Sequence, residues 1–269
     1  MAPQPSKIAF YADTFYNSPR SPAYWIPPAH LAVAAILLGG DIHYRPELLG
    51  EMLRDIRRTQ RDETLLIVVP GNGEYVGQEL GEARREYRAA VDAVPGAIFL
   101  DDDVAELPGG LHVIGSTLWS HVPADQIGSY NEMLGDIATA GVDHIRLGDE
   151  PLSLADCNEL HRQARSFIED ELRSLSAAER SRTVVCTHFW PTLRPFTGPN
   201  GKYSAERHIV GSDLEALIAE CGPRLWLCGH AHTTHQVAIG STEISSNPRA
   251  GDGPGNLNPD FAETYLLDL

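Results

Sequence analysis

The sequence predicts an α/β fold in which two mixed β-sheets pack against each other and helices cover their outer faces. Short apolar runs of strand length alternate with longer runs of helical periodicity along the chain, an order typical of α/β proteins. Several of the apolar runs end directly in Asp, Asn or His. Because ligands bind beyond the carboxyl ends of the strands in open α/β sheets, these endings also predict where a site lies.

A single domain over residues 1–269 is predicted, since α/β folds of this length are often undivided. Strand patterns cover residues 8–12, 34–38, 65–69, 97–100, 111–114, 183–187, 225–228, 236–239, 242–245 and 264–267. Helical patterns cover residues 46–61, 79–91, 153–175 and 212–219, and the third opens with a capping-box sequence at Ser153. Residues 120–150 and 191–202 lack a strong period and are predicted to be loops over the site.

The composition argues against several classes of partner. A formal net charge of −16 and a pI near 5.0 argue against nucleic-acid binding. The longest apolar stretch, Leu31–Leu38, is too short to cross a bilayer, and the first residues lack the pattern of a secretion signal. None of the four cysteines forms a close C-x-x-C pair, which favours reduced thiols and a cytoplasmic protein. No feature indicates a protein partner or an oligomeric state.

Five of the strand patterns lead into side chains that bind metal ions. The candidate ligands are Asp13, Asp41, Asn72, His188, His230 and His232. One such junction is common by chance, because Asp and Asn often serve as turn residues. A set of carboxylate, amide and imidazole groups at one sheet edge instead predicts a site for divalent metal ions, with manganese or iron favoured and zinc also compatible.

The ordered set Asp13, Gly40-Asp41, Gly71-Asn72, His188 and Gly229-His230-Ala231-His232 resembles the calcineurin-like metallophosphoesterase superfamily, in its small single-domain bacterial branch. The resemblance extends over roughly residues 7–250 and implies a four-layer α/β/β/α sandwich. It also implies a hydrolase of small phosphomonoesters or phosphodiesters, in which a metal-bound hydroxide attacks phosphorus at a dinuclear site.

The same resemblance distributes the ligands between two metal ions. It assigns Asp13, Asp41 and His232 to the first metal, and Asp41, Asn72, His188 and His230 to the second. Asp41 would thus bridge the two ions at the catalytic centre. Since residues i and i+2 of an extended segment point the same way, we expect an extended His230–His232 segment to serve adjacent metals.

Two histidines of the family pattern are missing here. Phe15 stands at a metal-binding position, so the first site is expected to bind its metal more weakly, leaving one or two metals per chain. Gly73 stands where the family has a histidine thought to bind the phosphoryl group and to help protonate the leaving oxygen. We expect His43 to lead the candidates for this role, and Glu74 and Arg249 to contact the substrate. Further candidates for the missing role are Tyr75, His121 and His208.

These departures leave alternatives open. One metal held by the second ligand set could support altered chemistry, including iron- and oxygen-dependent reactions. The chain could also be a catalytically impaired protein that keeps its pocket and binds a metal or another ligand. Metal content, together with phosphate release in the absence of oxygen, discriminates between these readings and the hydrolase.

Overall fold

The computed structural model describes residues 7–14, 24–138, 144–197, 207–250 and 257–269. The strands are β1 (Lys7–Tyr11), β2 (Ala35–Gly39), β3 (Leu65–Val69), β4 (Ala97–Phe99), β5 (Asp103–Leu107), β6 (Leu111–Ser116), β7 (Arg146–Leu147), β8 (Glu150–Pro151), β9 (Thr183–Thr187), β10 (Leu225–Cys228), β11 (Gln236–Ile239), β12 (Thr242–Ser246) and β13 (Leu266–Asp268). The helices are α1 (Pro46–Thr59), α2 (Leu80–Asp92), α3 (Ile127–Ala138), α4 (Leu154–Ser174), α5 (Ala177–Arg180), α6 (Arg207–Val210) and α7 (Glu215–Cys221).

The strands form two large mixed sheets flanked by helices, which confirms the predicted α/β sandwich. The first sheet has the order β13-β1-β2-β3-β4, and the second has the order β11-β12-β10-β9-β6-β5. The central strands are parallel, and the antiparallel pairings involve the edge strands β13, β11 and β5. The carboxyl ends of the central strands in each sheet therefore meet at one edge of that sheet.

The alternation of side chains along these strands divides them between two apolar cores. One core contains Phe10 and Leu37 of the first sheet together with Val184 of the second, so it lies where the sheets face each other. The residues that alternate with these along the strands, such as Leu38, belong to a second core that also contains helical residues such as Leu53. This is the period-two pattern expected of strands covered on both faces.

The predicted loop at residues 120–150 is wrong, because this segment contains α3 and the short β7–β8 pair. Two glycines, Gly128 and Gly135, interrupt α3 and weaken its helical signal in the sequence. β5 was also not predicted. In the segment 191–202, residues 194–196 form one turn of 3-10 helix, and residues 198–202 lie outside the described part of the chain. No helix in the described ranges is long and apolar enough to cross a bilayer.

α4 places the buried imidazole of His161 against the turn that follows β6. Because both partners are carbonyls, the His161 Nδ1–H must be the donor, to Leu118 O at 3.0 Å and to Trp119 O at 3.2 Å. Leu118 and Trp119 have φ values of 68° and 56°, in the left-handed region that costs energy for residues other than glycine. The imidazole therefore stabilises a strained turn.

The first prediction concerns the pH dependence of stability. Burial lowers the pKa of His161 to about 4. The unfolded chain takes up this proton near pH 6.5, so the free energy of unfolding is expected to fall as the pH drops from about 6.5 to about 4. His161→Gln should remove up to roughly 3 kcal/mol of that fall in urea denaturation. The exposed His144→Gln is the matched control, and equal pH slopes in the two variants would contradict the prediction.

Candidate metal centre

The structure places all six predicted ligands at the carboxyl ends of central strands. Asp13 follows β1, Asp41 follows β2, Asn72 follows β3, His188 follows β9, and His230 and His232 follow β10. The two sheets are joined here by hydrogen bonds between their loops. His188 Nδ1 contacts Gly39 O at 3.0 Å, and the His230 N–H donates to Asp13 Oδ2 at 2.9 Å.

Four of these ligand positions have a left-handed backbone. The φ values are 49° for Asp13, 53° for Asp41, 65° for His230 and 51° for His232. The expected extended geometry of the His230–His232 segment is therefore wrong, since both residues lie in a bend after β10. Strained backbone in non-glycine residues clusters at functional sites, where the surrounding structure holds it in place.

Asp41, His188 and His230 form a compact group of donor atoms. His188 Nε2 lies 3.3 Å from Asp41 Oδ1 and 3.2 Å from His230 Nδ1. One ligand atom from each residue lies within 4.8 Å of the other two. Within the described residues, this is the one group of three or more His, Cys, Asp or Glu side chains that meets this distance.

The hydrogen bonds of the two imidazoles fit a metal ion between these three groups. His188 donates its Nδ1–H to Gly39 O, and His230 donates its Nε2–H to Ile209 O at 3.2 Å. His188 Nε2 then faces both Asp41 Oδ1 and His230 Nδ1. Burial would lower the pKa of His188, but the charges of Asp41 and Asp13 outweigh it and raise this pKa. A divalent cation would take the place of this proton, and a carbonyl partner behind a metal-binding imidazole is the usual arrangement.

Asp13 and His232 form a second contact beside this group. His232 Nε2 lies 3.4 Å from Asp13 Oδ1, and Asp13 is almost fully buried. Asn72 Oδ1 is buried without a hydrogen-bond partner. This is expected of an oxygen atom whose partner is a metal ion. Phe15 lies outside the described residues. The assignment of ligands to two metals therefore stays a prediction.

The charges of the site shift the pKa values of its members. Burial would raise the pKa of Asp13, but His232 and His188 outweigh it and hold this pKa below its usual value. Burial raises the pKa of Asp41. The charge of His188 opposes this rise, and the charge of Asp13 adds to it. Burial and the neighbouring His188 lower the pKa of His230 to about 3, so its imidazole is neutral at neutral pH. Neutral imidazole is the form that binds metal.

Glu74 organises the loops that carry two of the ligands. Its Oε2 accepts the N–H groups of Asp41 at 2.9 Å and Gly71 at 2.7 Å. Its Oε1 accepts the N–H groups of Ile42 at 2.6 Å and His43 at 3.2 Å. The carboxylate is buried and fully used by backbone donors. The predicted contact between Glu74 and the substrate is not favoured by this geometry, because both carboxylate oxygens already accept backbone N–H groups. It stays a prediction.

His43 and Arg249 each lie close to an aromatic ring. His43 is buried, its Nδ1 accepts the N–H of Arg45 at 3.2 Å, and its ring meets the ring of Tyr24. Burial and the charge of Arg45 lower the pKa of His43 to about 4, so it is a poor proton donor at neutral pH. The Arg249 guanidinium lies 5.9 Å from the ring centroid of Trp25. The catalytic and substrate-binding roles of these two residues stay predictions.

Tyr44 is a residue of the centre that the sequence analysis did not single out. A Cβ atom built on Gly73 would lie 2.9 Å from Tyr44 Cε1 and 2.7 Å from Asp41 Oδ1. The tyrosine ring therefore occupies space that a side chain at position 73 would need. Burial, then the charges of Asp41, Glu74 and Asp13, raise the pKa of the Tyr44 phenol, which keeps its proton. Its position beyond the end of β2, shortly after Asp41 and His43, was the signal in the sequence.

No protein-family model and no curated protein matches the sequence. The structure is similar to that of the phosphopantetheinyl hydrolase PptH from Mycobacterium tuberculosis, with a TM-score of 0.63 and 15% identity over 92% of this chain and 91% of that chain. A second crystal structure matches with a TM-score of 0.54 and 15% identity over 91% of each chain. At this level of identity, the similarity establishes a shared fold.

The second prediction tests the role of Glu74. Glu74→Gln replaces one carboxylate oxygen with an NH₂ group, which cannot accept the two backbone N–H groups that this oxygen holds. We expect the free energy of unfolding to fall by about 2 kcal/mol or more, because buried donors lose their partners. We also expect weaker metal binding, since the loop of Asp41 loosens. Urea denaturation and metal titration measure the two effects. Glu86→Gln on the exposed face of α2 is the control, and equal behaviour of the two variants would rule out this role.

Proposed function

We propose that the chain is a metal-dependent hydrolase of small phosphomonoesters or phosphodiesters. The observation that carries this proposal is the convergence of the Asp41 carboxylate with ring nitrogens of His188 and His230. The order of the ligand motifs supports it, because it resembles that of calcineurin-like metallophosphoesterases. The likeness in fold to a hydrolase adds weaker support.

In this proposal Asp41, His188, His230 and Asn72 hold one divalent cation, and Asp13 and His232 share Asp41 with a second. Such cations supply Lewis-acid stabilisation of phosphoryl oxygens and lower the pKa of bound water. His230 is neutral and does not need to lose a proton to bind, whereas a metal ion would displace a proton from His188, whose pKa Asp41 and Asp13 raise against the effect of burial. The choice between manganese, iron and zinc stays a prediction from the mixed oxygen and nitrogen donors.

In this proposal Tyr44 is the side-chain proton donor that Gly73 cannot be. Its ring packs beside Gly73 and close to Asp41, and its phenol stays protonated among three carboxylates. We infer that its O–H donates a hydrogen bond to the leaving oxygen of the substrate. An O–H donor at this place matters most for alkyl leaving groups, because aryl oxide ions such as p-nitrophenolate leave without a proton.

The substrate class is a small phosphoester, since a net charge of −16 disfavours nucleic acid. PptH is described as acting on phosphopantetheinyl groups, so a phosphopantetheine ester belongs in the first substrate panel. A cytoplasmic location fits the four free cysteines, three of which are buried.

The third prediction tests the metal-dependent reaction itself. Protein purified without chelators should contain one to two metal ions per chain and hydrolyse bis(p-nitrophenyl) phosphate faster when manganese is added. Asp41→Asn should lower both the metal content and kcat, because Asp41 is predicted to bind both metal ions. We expect kcat to fall by at least about 100-fold. The exposed Asp62→Asn is the control.

The outcomes separate the hydrolase from its alternatives. Manganese-stimulated turnover that Asp41→Asn abolishes supports the proposal. One tightly bound metal without phosphate release would reject it in favour of a mononuclear enzyme of another type. A chain without hydrolysis or stoichiometric metal would indicate a binding protein.

The fourth prediction separates the leaving groups. Tyr44→Phe should lower kcat for an alkyl phosphoester by about 10- to 100-fold and change kcat for the p-nitrophenyl ester little. Metal content should stay the same. Tyr24→Phe, whose hydroxyl instead donates to Asp55, is the matched control. An equal loss on both esters would show that Tyr44 acts on the structure of the centre and not on the leaving oxygen.

A further inference from the structure

A second cavity lies beside the strained turn after β6. Its volume is about 540 Å³, within the range of small-molecule sites. We call it the α4 pocket, because α4 supplies much of its wall. Its polar lining consists of His121, Asn158, Glu159, His161, Arg162, Arg165, Ser212 and Asp213.

Ser212 brings an unused hydroxyl to this pocket. The residue is 2% exposed, and its Oγ is buried without a hydrogen-bond partner. Its backbone is fixed, because the Ser212 N–H donates to Trp190 O at 2.9 Å. A buried hydroxyl without a partner costs free energy, and a ligand in the pocket would remove that cost.

Arg165 brings a positive charge to the pocket. Among the described residues it makes no salt bridge, whereas its neighbour Arg162 is bound at two points by Glu159, at 2.8 Å and 2.6 Å. The charge of Arg165 also helps to lower the pKa of His121 and of His161, after the larger effect of burial, so it lies close to both rings.

The remaining polar groups of the wall include one exposed carboxylate, Asp213. Asn158 exchanges two hydrogen bonds with the backbone of Val122, and Asp213 is an exposed residue whose carboxylate accepts the N–H of Glu215. His161 donates from Nδ1 to the turn, which leaves its Nε2 as an acceptor. Beside this carboxylate, the pocket offers one cation outside a salt bridge, one buried hydroxyl and one imidazole acceptor.

We propose that the α4 pocket binds a phosphorylated small molecule that also carries a hydroxyl group. Arg165 and the Ser212 hydroxyl would hold the phosphoryl oxygens, since a guanidinium and a hydroxyl are common partners of phosphate. The His161 Nε2 would accept a hydrogen bond from the hydroxyl group of the ligand. A cavity of this size exceeds the needs of a bare phosphate ion and leaves room for the carbon skeleton.

The pocket and the candidate metal centre use different residues and are linked through a chain of packed rings. The Trp119 ring, beyond the turn that His161 holds, stacks on Phe189 with centroids 6.1 Å apart, and Phe189 lies 4.1 Å from the His230 ring. Binding at Arg165 and Ser212 nevertheless requires neither a metal nor hydrolysis. It can therefore be measured separately from the proposed activity.

The fifth prediction is tested by titration calorimetry on the full chain in the presence of EDTA at low salt. Glycerol 3-phosphate and inorganic phosphate are the two probes. One equivalent should bind, and Arg165→Gln should weaken its affinity at least about tenfold, because a charge-assisted bond is lost. Ser212→Ala should weaken it by a smaller factor. Arg61→Gln, at an exposed arginine of similar kind, and Asp41→Asn should leave the affinity unchanged.

The two probes distinguish the sources of the phosphoryl group. Tighter binding of glycerol 3-phosphate supports a phosphorylated metabolite as the ligand. Equal affinities would support the oxyanion contacts but overturn the hydroxyl contact at His161. Absence of binding by both probes overturns the proposal, as does binding that survives Arg165→Gln or disappears in Asp41→Asn. Arg165 is exposed on α4, so its substitution leaves the folded core intact.

Discussion

The Glu74 carboxylate joins the loop after β2 to the loop after β3 through four backbone N–H groups. The Asp41 side chain depends on this junction, because its Oδ1 accepts the N–H of Gly73 at 2.7 Å from the second loop. His188 then ties the other sheet to the same place through Gly39 O. The donor atoms of the centre are thus positioned by backbone hydrogen bonds that cross between neighbouring strands and between the two sheets.

This arrangement costs backbone energy at the candidate ligands themselves. Asp13 and Asp41 both have left-handed φ values, a conformation that L-residues other than Asn and Asp seldom adopt. Close approach adds a second demand, since a Cβ on Gly229 would fall 2.5 Å from Asp13 Oδ2, and one on Gly71 would fall 2.3 Å from Asp41 Oδ1. The Gly-Asp, Gly-Asn and Gly-His pairs of the sequence are therefore consequences of this packing as well as signals of it.

The sequence predicted the central strands and their polar endings, because a buried strand and the residue that follows it are encoded locally. It did not predict α3, whose glycines weaken the helical period, or the bend at His230, where long-range bonds to Asp13 override an extended conformation. The burial of Glu74 also depends on contacts between distant loops. The ion pair between Asp101 and Arg84 of α2 is likewise a contact between distant parts of the chain.

Gly73 illustrates how a departure from a family pattern can be compensated by packing. A histidine at this position would overlap both the Asp41 carboxylate and the Tyr44 ring. The glycine N–H, in turn, is within bonding distance of Asp41 only because no side chain separates the two loops. The absence of the imidazole is therefore coupled to the presence of the tyrosine and to a tighter contact between the loops. A site that had merely lost a residue would leave a gap there, whereas here the Tyr44 ring lies beside Gly73, and burial together with the nearby carboxylates raises the pKa of its phenol.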